Sequence, residues 1–138
     1  MRVYFDVNVI VDWANQREPF AKNATLLIDM AIDGEFELCV SPLVMANVFY
    51  LVRKERGKLE TLKFIEDCRS FMTFIDSFVQ SLNQAIDKPF RDFEDDLHFY
   101  SAIDSKIDII VTRNTKDFLN NQPIKIVTPD ELLYELGY

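Results

Sequence analysis

The sequence has little that would cross-link the chain or place it in a membrane. Only two of its 138 residues are cysteines, Cys39 and Cys68, and neither belongs to a CxxC motif. We therefore expect buried, reduced thiols and neither a disulfide nor a cysteine metal site. No apolar run approaches the roughly 20 residues of a membrane span, and the first residues lack the layout of a signal peptide. These absences predict a soluble, cytoplasmic protein without a membrane partner.

Basic residues and histidine are also scarce. Fifteen Lys and Arg stand against 23 Asp and Glu, which gives a formal net charge of −8. Binding to a phosphate backbone depends on clustered Lys and Arg, so this chain is not a general nucleic-acid binder. It would need a local basic patch or a bound metal to handle nucleic acid, and a basic protein partner also fits its surface. His98, the single histidine, lies in a predicted apolar helix, where packing is favoured over catalysis.

Apolar residues are plentiful, at 49% of the chain, and they include twelve Phe. This length and composition predict one folded domain, residues 1–138. Strands are predicted at 3–5, 36–40, 71–75, 108–111 and 124–127. Helices are predicted at 20–33, 42–55, 59–68, 78–86 and 93–104, with a short turn at 117–119 and a last helix after Thr128. Ser41, Ser77 and Thr128 are the expected caps. Alternating strands and helices predict an α/β fold with three layers, α/β/α, around a parallel sheet.

Asp6 directly follows the first apolar strand. The carboxyl ends of strands are where open α/β sheets place their ligands, and a buried carboxylate needs a partner. A cation would satisfy Asp6, and so would a backbone N–H if Asp6 capped the following helix. The first thirteen residues alone are compatible with both interpretations of Asp6.

Further acids occur at other predicted strand ends and helix starts. A run of four begins the helix before the fourth strand, and polar residues follow that strand: Asp92, Glu94, Asp95, Asp96, Thr112, Arg113, Asn114 and Asp117. If the first and fourth strands are neighbours, these groups converge on Asp6. Carboxylate clusters suit Mg²⁺ or Mn²⁺. Helix N-termini also favour acids through the macrodipole, so at most one or two of the run should face inward.

Three segments carry a specific resemblance. They are Val-Tyr-Phe-Asp6-Val-Asn8-Val-Ile-Val-Asp12, Phe-Glu-Asp95-Asp-Leu and Val-Thr112-Arg113-Asn114-Thr-Lys-Asp117-Phe. Together they resemble the PIN-domain family across essentially the whole chain, and most of all the toxins of bacterial type II toxin–antitoxin pairs. The resemblance implies strand order 3-2-1-4-5, an Mg²⁺- or Mn²⁺-dependent ribonuclease, an RNA substrate, a protein antitoxin that blocks the site, and often a homodimer.

The resemblance also implies particular site residues. Asp6, Asp95 and Asp117 correspond to the acidic metal ligands and catalytic residues. Asn8, Thr112 and Asn114 would lie at the rim as substrate-binding residues, and Arg113 would meet phosphate. Asp12 recurs in the motif as a structural residue of the following helix.

One residue departs from the family pattern. A Glu usually follows the second strand in a Ser-x5-Glu spacing, whereas Ser41 is followed at that distance by Asn47. An amide oxygen can contact a metal or a water, but it carries no charge and is a weak base. We place Asn47 among the catalytic residues, with Asp92 or Asp96 as the acid that could compensate.

The first hypothesis is therefore a metal-dependent endoribonuclease that acts as a toxin. A PIN domain that binds without cleaving is the alternative that Asn47 favours. A phosphatase with an aspartate nucleophile is the third hypothesis, although that family has a second Asp at the position that Asn8 occupies here. A receiver domain would need a Lys at the end of the last strand, and Lys125 lies near its start.

Overall fold

The computed structural model describes residues 1–116 and 123–138. Five parallel strands pair into one sheet in the order β3-β2-β1-β4-β5. The strands are β1 (Arg2–Phe5), β2 (Glu37–Val40), β3 (Thr73–Phe74), β4 (Ile109–Val111) and β5 (Lys125–Val127). The implied strand order and the α/β/α layers are both confirmed.

Seven helices are present in the described residues. They are α1 (Val7–Ala14), α2 (Ala21–Ile32), α3 (Pro42–Arg56), α4 (Lys58–Cys68), α5 (Val79–Asp87), α6 (Phe93–Asp104) and α7 (Pro129–Glu135). The predicted helices agree with these to within one or two residues, which is the usual uncertainty at helix ends. The short turn predicted at 117–119 lies outside the described residues.

The strand β1 lies at the centre of the sheet, and its last three residues are apolar on both faces. Val3, Tyr4 and Phe5 are at most 1% exposed, as expected for a strand covered by helices on each side. Val3 pairs with Leu38 of β2 on one side and Ile109 of β4 on the other. Parallel pairing brings the carboxyl ends of these strands to one edge of the sheet. Asp6, immediately after β1, lies at that edge beside the residues that follow β2 and β4.

Ser41 and Ser77 were both predicted helix caps, and only the first is confirmed. The Ser41 hydroxyl accepts a hydrogen bond from the N–H of Val44 at 3.1 Å, and Pro42 occupies the first turn of α3. The Ser77 prediction is wrong: Phe78 is the cap residue of α5, and it makes no side-chain capping bond to the described chain. Ser77 is exposed and lies one residue before the cap position of α5.

Cys39 and Cys68 are buried, and neither forms a disulfide within the described structure. Burial raises the pKa of Cys39 to about 11 and that of Cys68 to about 12, so both remain neutral thiols. The prediction of buried, reduced cysteines is confirmed. Across residues 1–116 and 123–138, we find no helix with the length and apolar character required to cross a bilayer.

The two serines provide a matched test of capping. Ser41→Ala should lower the free energy of unfolding by about 1–2 kcal/mol, because it removes the cap of α3. Ser77→Ala should change it by no more than about 0.5 kcal/mol, as for most exposed substitutions. Urea denaturation of the two variants measures both values. Equal losses would contradict the capping assignment.

Candidate functional site

Asp6 is held rigidly at the edge of the sheet. Its Oδ1 accepts a hydrogen bond from the N–H of Val7 at 2.7 Å, which caps α1. Its Oδ2 accepts a hydrogen bond from the hydroxyl of Thr112 at 2.8 Å, which ties the end of β1 to the residue after β4. The capping interpretation of Asp6 is confirmed. The half-buried carboxylate still lines a pocket, so capping and a site function are compatible.

The acidic run at the start of α6 divides into residues with different surroundings. Asp92 is the cap of α6 and accepts a hydrogen bond from the N–H of Asp95 at 2.9 Å. Asp96 is fully buried and accepts hydrogen bonds from the N–H groups of Phe90 at 3.1 Å and Arg91 at 3.0 Å. Both acids therefore support the backbone. Asp95 is the member that shares a pocket with Asp6.

Asp95 lies in an unfavourable electrostatic environment. Burial, a hydrogen bond with Asp92 and the negative charges of Asp92 and Asp6 raise its pKa to about 6, although Arg91, 3.4 Å away, opposes the shift. The N–H of Asp95 lowers the pKa of Asp92. The charged form of a carboxylate that lies beside other negative charges is stabilised when a cation binds next to it.

Two adjoining pockets share Asp6 and Asp95. The inner cavity measures about 20 Å³ and is also lined by Tyr4, His98 and Thr112. The outer one measures about 330 Å³ and is also lined by Asn8, Asn47, Tyr50 and Glu94. The inner cavity has room for about one water, whereas the outer one is wide enough for a larger polar group.

Asn47 and Glu94 meet on the wall of the outer pocket. The Nδ2 of Asn47 donates a hydrogen bond to Oε1 of Glu94 at 2.6 Å. Asn47 comes from α3 and Glu94 from α6, so this bond joins helices on opposite sides of the site. Asp92 or Asp96 was expected to compensate for the missing acid at position 47, whereas the acid that contacts Asn47 is Glu94. No spacing along the chain signals this contact, because its two residues lie 47 positions apart in the sequence.

A buried polar chain lies beneath the acids. The Tyr4 hydroxyl lies 3.0 Å from Oγ of Ser41 and 2.9 Å from Nδ1 of His98. Burial raises the pKa of Tyr4 far above its ordinary range, so the phenol stays neutral. His98 is buried, as expected from its helix. Within the described residues its other ring nitrogen, Nε2, has no hydrogen-bond partner and lies 3.6 Å from Oε1 of Glu94.

The predicted substrate residues fall into two groups. Asn8 lines the outer pocket, and Thr112 accepts a hydrogen bond from the N–H of the exposed Asn114 at 3.2 Å. Arg113 points away from both pockets. Its Nε lies 3.1 Å from Oδ2 of the buried Asp12, and its guanidinium lies 4.0 Å from the centre of the Phe20 ring. Asp12 thus has the structural position that the sequence predicted for it.

The donor atoms around the pockets fit a hard cation in type. They are carboxylate, amide and hydroxyl oxygens, which Mg²⁺ and Mn²⁺ prefer. No three acidic, histidine or cysteine side chains among residues 1–116 and 123–138 are grouped closely enough to hold a metal ion. Asp117, the third predicted ligand, lies outside the described residues.

A parallel sheet with an acidic pocket at the end of its central strand places this chain among the open α/β proteins, a class in which ligands bind at the carboxyl edge of the sheet. The model of one such family, the PIN domain, matches residues 2–116, and this chain belongs to the PIN-domain family.

Known proteins with the same fold resemble the chain along most of its length. Ribonuclease VapC1 of Aquifex aeolicus is 26% identical over 134 residues, which cover 94% of this chain and 92% of that protein. A toxin–antitoxin complex from Klebsiella pneumoniae contains a chain with a TM-score of 0.67 and 20% identity, covering 92% of this chain and 97% of that one. VapC20 of Mycobacterium tuberculosis, described as a toxin that cleaves the sarcin–ricin loop, has a TM-score of 0.66 and 11% identity, covering 88% and 99%.

The shifted pKa of Asp95 predicts a pH-dependent stability without metal. The unfolded chain has an Asp pKa of about 3.9, so the folded state binds this proton more tightly. The resulting stabilisation is fully present below about pH 4 and is lost as the pH rises through about 6. Since 34% of the side chain is exposed, we expect a loss on the order of 1 kcal/mol. Urea denaturation with EDTA at several pH values should show this loss in wild type and not in Asp95→Asn. Parallel curves for the two proteins would contradict it.

Two neighbouring acids should differ sharply in their effect on stability. Asp96→Ala leaves two backbone N–H groups without their buried acceptor and should cost about 2–4 kcal/mol. Asp95→Ala removes a repelled, partly exposed carboxylate and should cost less than about 1 kcal/mol at pH 7.5. Thermal or urea unfolding at that pH compares them directly. If Asp95→Ala lowered the free energy of unfolding as much as Asp96→Ala does, the different surroundings assigned to these two acids would be contradicted.

Proposed function

We propose that this chain is a metal-dependent endoribonuclease and the toxin of a toxin–antitoxin pair. The observation that carries the proposal is that Asp6 and Asp95 face one pocket at the end of the central strand of a PIN domain. The likeness to a protein named Ribonuclease VapC1 supports RNA as the substrate. The toxin–antitoxin complex from Klebsiella pneumoniae supports a protein antitoxin as the partner.

The residues that would hold the cation are Asp6 and Asp95, with Asp117 as the third acid. When bound there, Mg²⁺ or Mn²⁺ would lower the pKa of an attacking water and stabilise charge on the phosphate and the leaving oxygen. Two hydrogen bonds fix the orientation of Asp6, so its carboxylate needs little reorganisation. Arg91 lies 3.4 Å from Asp95 and offsets part of the charge of that carboxylate.

The rim residues would orient the RNA. Asn8 and the exposed Asn114 present amides that can donate hydrogen bonds to phosphate or sugar oxygens. The pocket itself is acidic, and the chain carries a net charge of −8. RNA would therefore approach this edge only when the carboxylate charge is offset, which makes metal dependence part of the same proposal.

A binding module without cleavage is the second candidate. It is favoured by Asn47, whose side chain is uncharged and already engaged with Glu94. Such a protein would bind RNA or a partner protein through the same edge, with no need for a cation.

A cleavage assay distinguishes the candidates. Wild type with total RNA should produce discrete fragments in Mg²⁺ or Mn²⁺ and none in EDTA. Asp6→Asn should slow cleavage about a hundredfold, equivalent to about 2.7 kcal/mol of lost charge stabilisation. Asp6→Asn keeps one oxygen that can accept from the N–H of Val7, and the Thr112 hydroxyl can rotate to accept from the new amide N–H, so the fold should be retained.

Asp29→Asn is the charge-matched control, because Asp29 is an exposed acid on α2. It should cleave at the wild-type rate. Equal activity of Asp6→Asn and wild type would reject the proposed site. Binding of RNA by wild type without cleavage in either metal would favour the binding module.

A further inference from the structure

A separate cavity, which we call the side cavity, lies at the same edge of the sheet as the two acidic pockets. It measures about 290 Å³, and its lining includes Phe20, Asn23, Arg113 and Asp130. These residues come from the segment before α2, from α2 itself, from the end of β4 and from α7. Binding sites for small molecules begin at about 300 Å³, so this space suits one planar group such as a nucleobase.

The side cavity lies one residue away from the contacts of the central acid. The hydroxyl of Thr112 donates the 2.8 Å hydrogen bond to Asp6, and the next residue, Arg113, lines the side cavity. Consecutive Cα atoms are about 3.8 Å apart, so the two sites are close neighbours along the edge of the sheet. A polymer bound at Asp6 can therefore reach the side cavity with its adjoining unit.

The side cavity offers two surfaces on which an unpaired base can stack. Phe20 is 40% exposed, and the guanidinium of Arg113 lies 4.0 Å from the centre of its ring. Unpaired RNA bases stack on aromatic rings and on guanidinium planes. Asp130 also lines the cavity, and its Oδ1 accepts a hydrogen bond from Nδ2 of Asn23 at 2.5 Å. A carboxylate accepts from the N–H groups of a base and repels phosphate, so the cavity suits a base.

Arg17 supplies positive charge between the side cavity and the outer pocket. Its Nε lies 2.8 Å from Oδ1 of the buried Asp12, and Nε of Arg113 lies 3.1 Å from Oδ2 of the same carboxylate. Two guanidinium groups thus share one carboxylate, which leaves a positive charge in excess. Arg17 also donates to the main-chain and side-chain oxygens of Asn8 at 3.4 and 3.3 Å, and Asn8 lines the outer pocket. The Arg17 side chain is 37% exposed and can meet a phosphate there.

We propose that the side cavity binds the base of an unpaired RNA nucleotide next to the one that is cleaved, and that Arg17 binds the phosphate between them. The inference rests on the proposed ribonuclease function and adds a nucleotide subsite to it. A base within a duplex is stacked on both faces, so it must be unstacked before it can enter the cavity.

Fluorescence anisotropy with a short, fluorescein-labelled single-stranded RNA that contains all four bases measures the subsite directly. The reference protein is Asp6→Asn in Mn²⁺, in which the RNA stays intact long enough for a Kd to be measured. Added to this background, Phe20→Leu keeps apolar bulk and removes the ring. It should weaken binding about tenfold, because stacking on an aromatic side chain is lost. Phe20→Trp keeps a ring and should bind within about threefold of the reference.

Phe78→Leu is the matched control for the ring. Phe78 is also 40% exposed, and it lies at the start of α5, which packs against α6. This variant should bind the RNA as the reference protein does. Thermal unfolding of each variant shows whether it is folded. Duplex RNA of the same sequence should bind the reference protein about tenfold more weakly than the single strand, because of the cost of unstacking.

The salt dependence of the Kd tests the phosphate contact of Arg17. Arg17→Gln should reduce the slope of log Kd against log salt concentration by about 0.7, the value for one phosphate contact in a single strand. Arg17→Lys keeps the charge and should keep the slope. Arg69→Gln, which changes an exposed arginine at the end of α4, is the control and should also keep it. Phe20→Leu should weaken binding at every salt concentration without changing the slope, because the ring is uncharged.

Several results would overturn the inference. A folded Phe20→Leu variant that binds as tightly as the reference, or equal weakening by Phe20→Leu and Phe78→Leu, would show that no base stacks in the side cavity. Equal affinity for duplex and single-stranded RNA would exclude an unpaired base. An unchanged slope for Arg17→Gln would exclude the phosphate contact. Wild type that does not cleave total RNA contradicts the proposed function, whereas cleavage by wild type with unaffected Phe20 and Arg17 variants contradicts this inference alone.

Discussion

The hydrogen bonds of Asp6 are the interaction on which the site depends. The central strand is buried on both faces, and the first polar side chain after it must find partners at the edge of the sheet. The N–H of Val7 and the hydroxyl of Thr112 fill that need and lock β1, α1 and the end of β4 together. One carboxylate therefore begins a helix, joins two strands and faces the pocket. Each carboxylate oxygen has a further lone pair beyond these two hydrogen bonds, and the side chain lines both pockets.

Helix geometry explains why adjacent acids have different functions. Successive residues of α6 point about 100° apart, so four acids in five positions cannot share one environment. Asp92 caps the helix and Asp96 turns inward to hold the preceding loop. Asp95 and Glu94 are left facing the pockets. The sequence shows that several acids lie near the site. The position of each acid around the helix axis determines whether its side chain faces the pockets.

The fold could be predicted from the sequence because each strand is an apolar run between clear helix starts. The Ser41-Pro42 start and the 93–104 helix were predicted correctly, since local hydrogen bonding and spacing determine them. The cap of α5 was predicted one residue too early, at Ser77, because the residue at the cap position, Phe78, makes no side-chain capping bond that a sequence pattern could reveal. Arg113 could not be placed from the sequence, because its partners, Asp12 and Phe20, come from α1 and the segment before α2. The Asn47–Glu94 bond is equally non-local, and no spacing along the chain encodes it.

The polar chain beneath the pocket links the function of the site to its stability. Tyr4 lies in the most buried strand, yet its hydroxyl joins Ser41, the cap of α3, to His98 on α6. The two helices that carry Asn47 and Glu94 are thus connected twice, once through the core and once at the surface. A shift of either helix would break both connections, because buried polar groups that lose a partner are costly. The geometry of the outer wall is therefore set by the interior, and a substitution at Tyr4 would alter the outer pocket, which Tyr4 does not line.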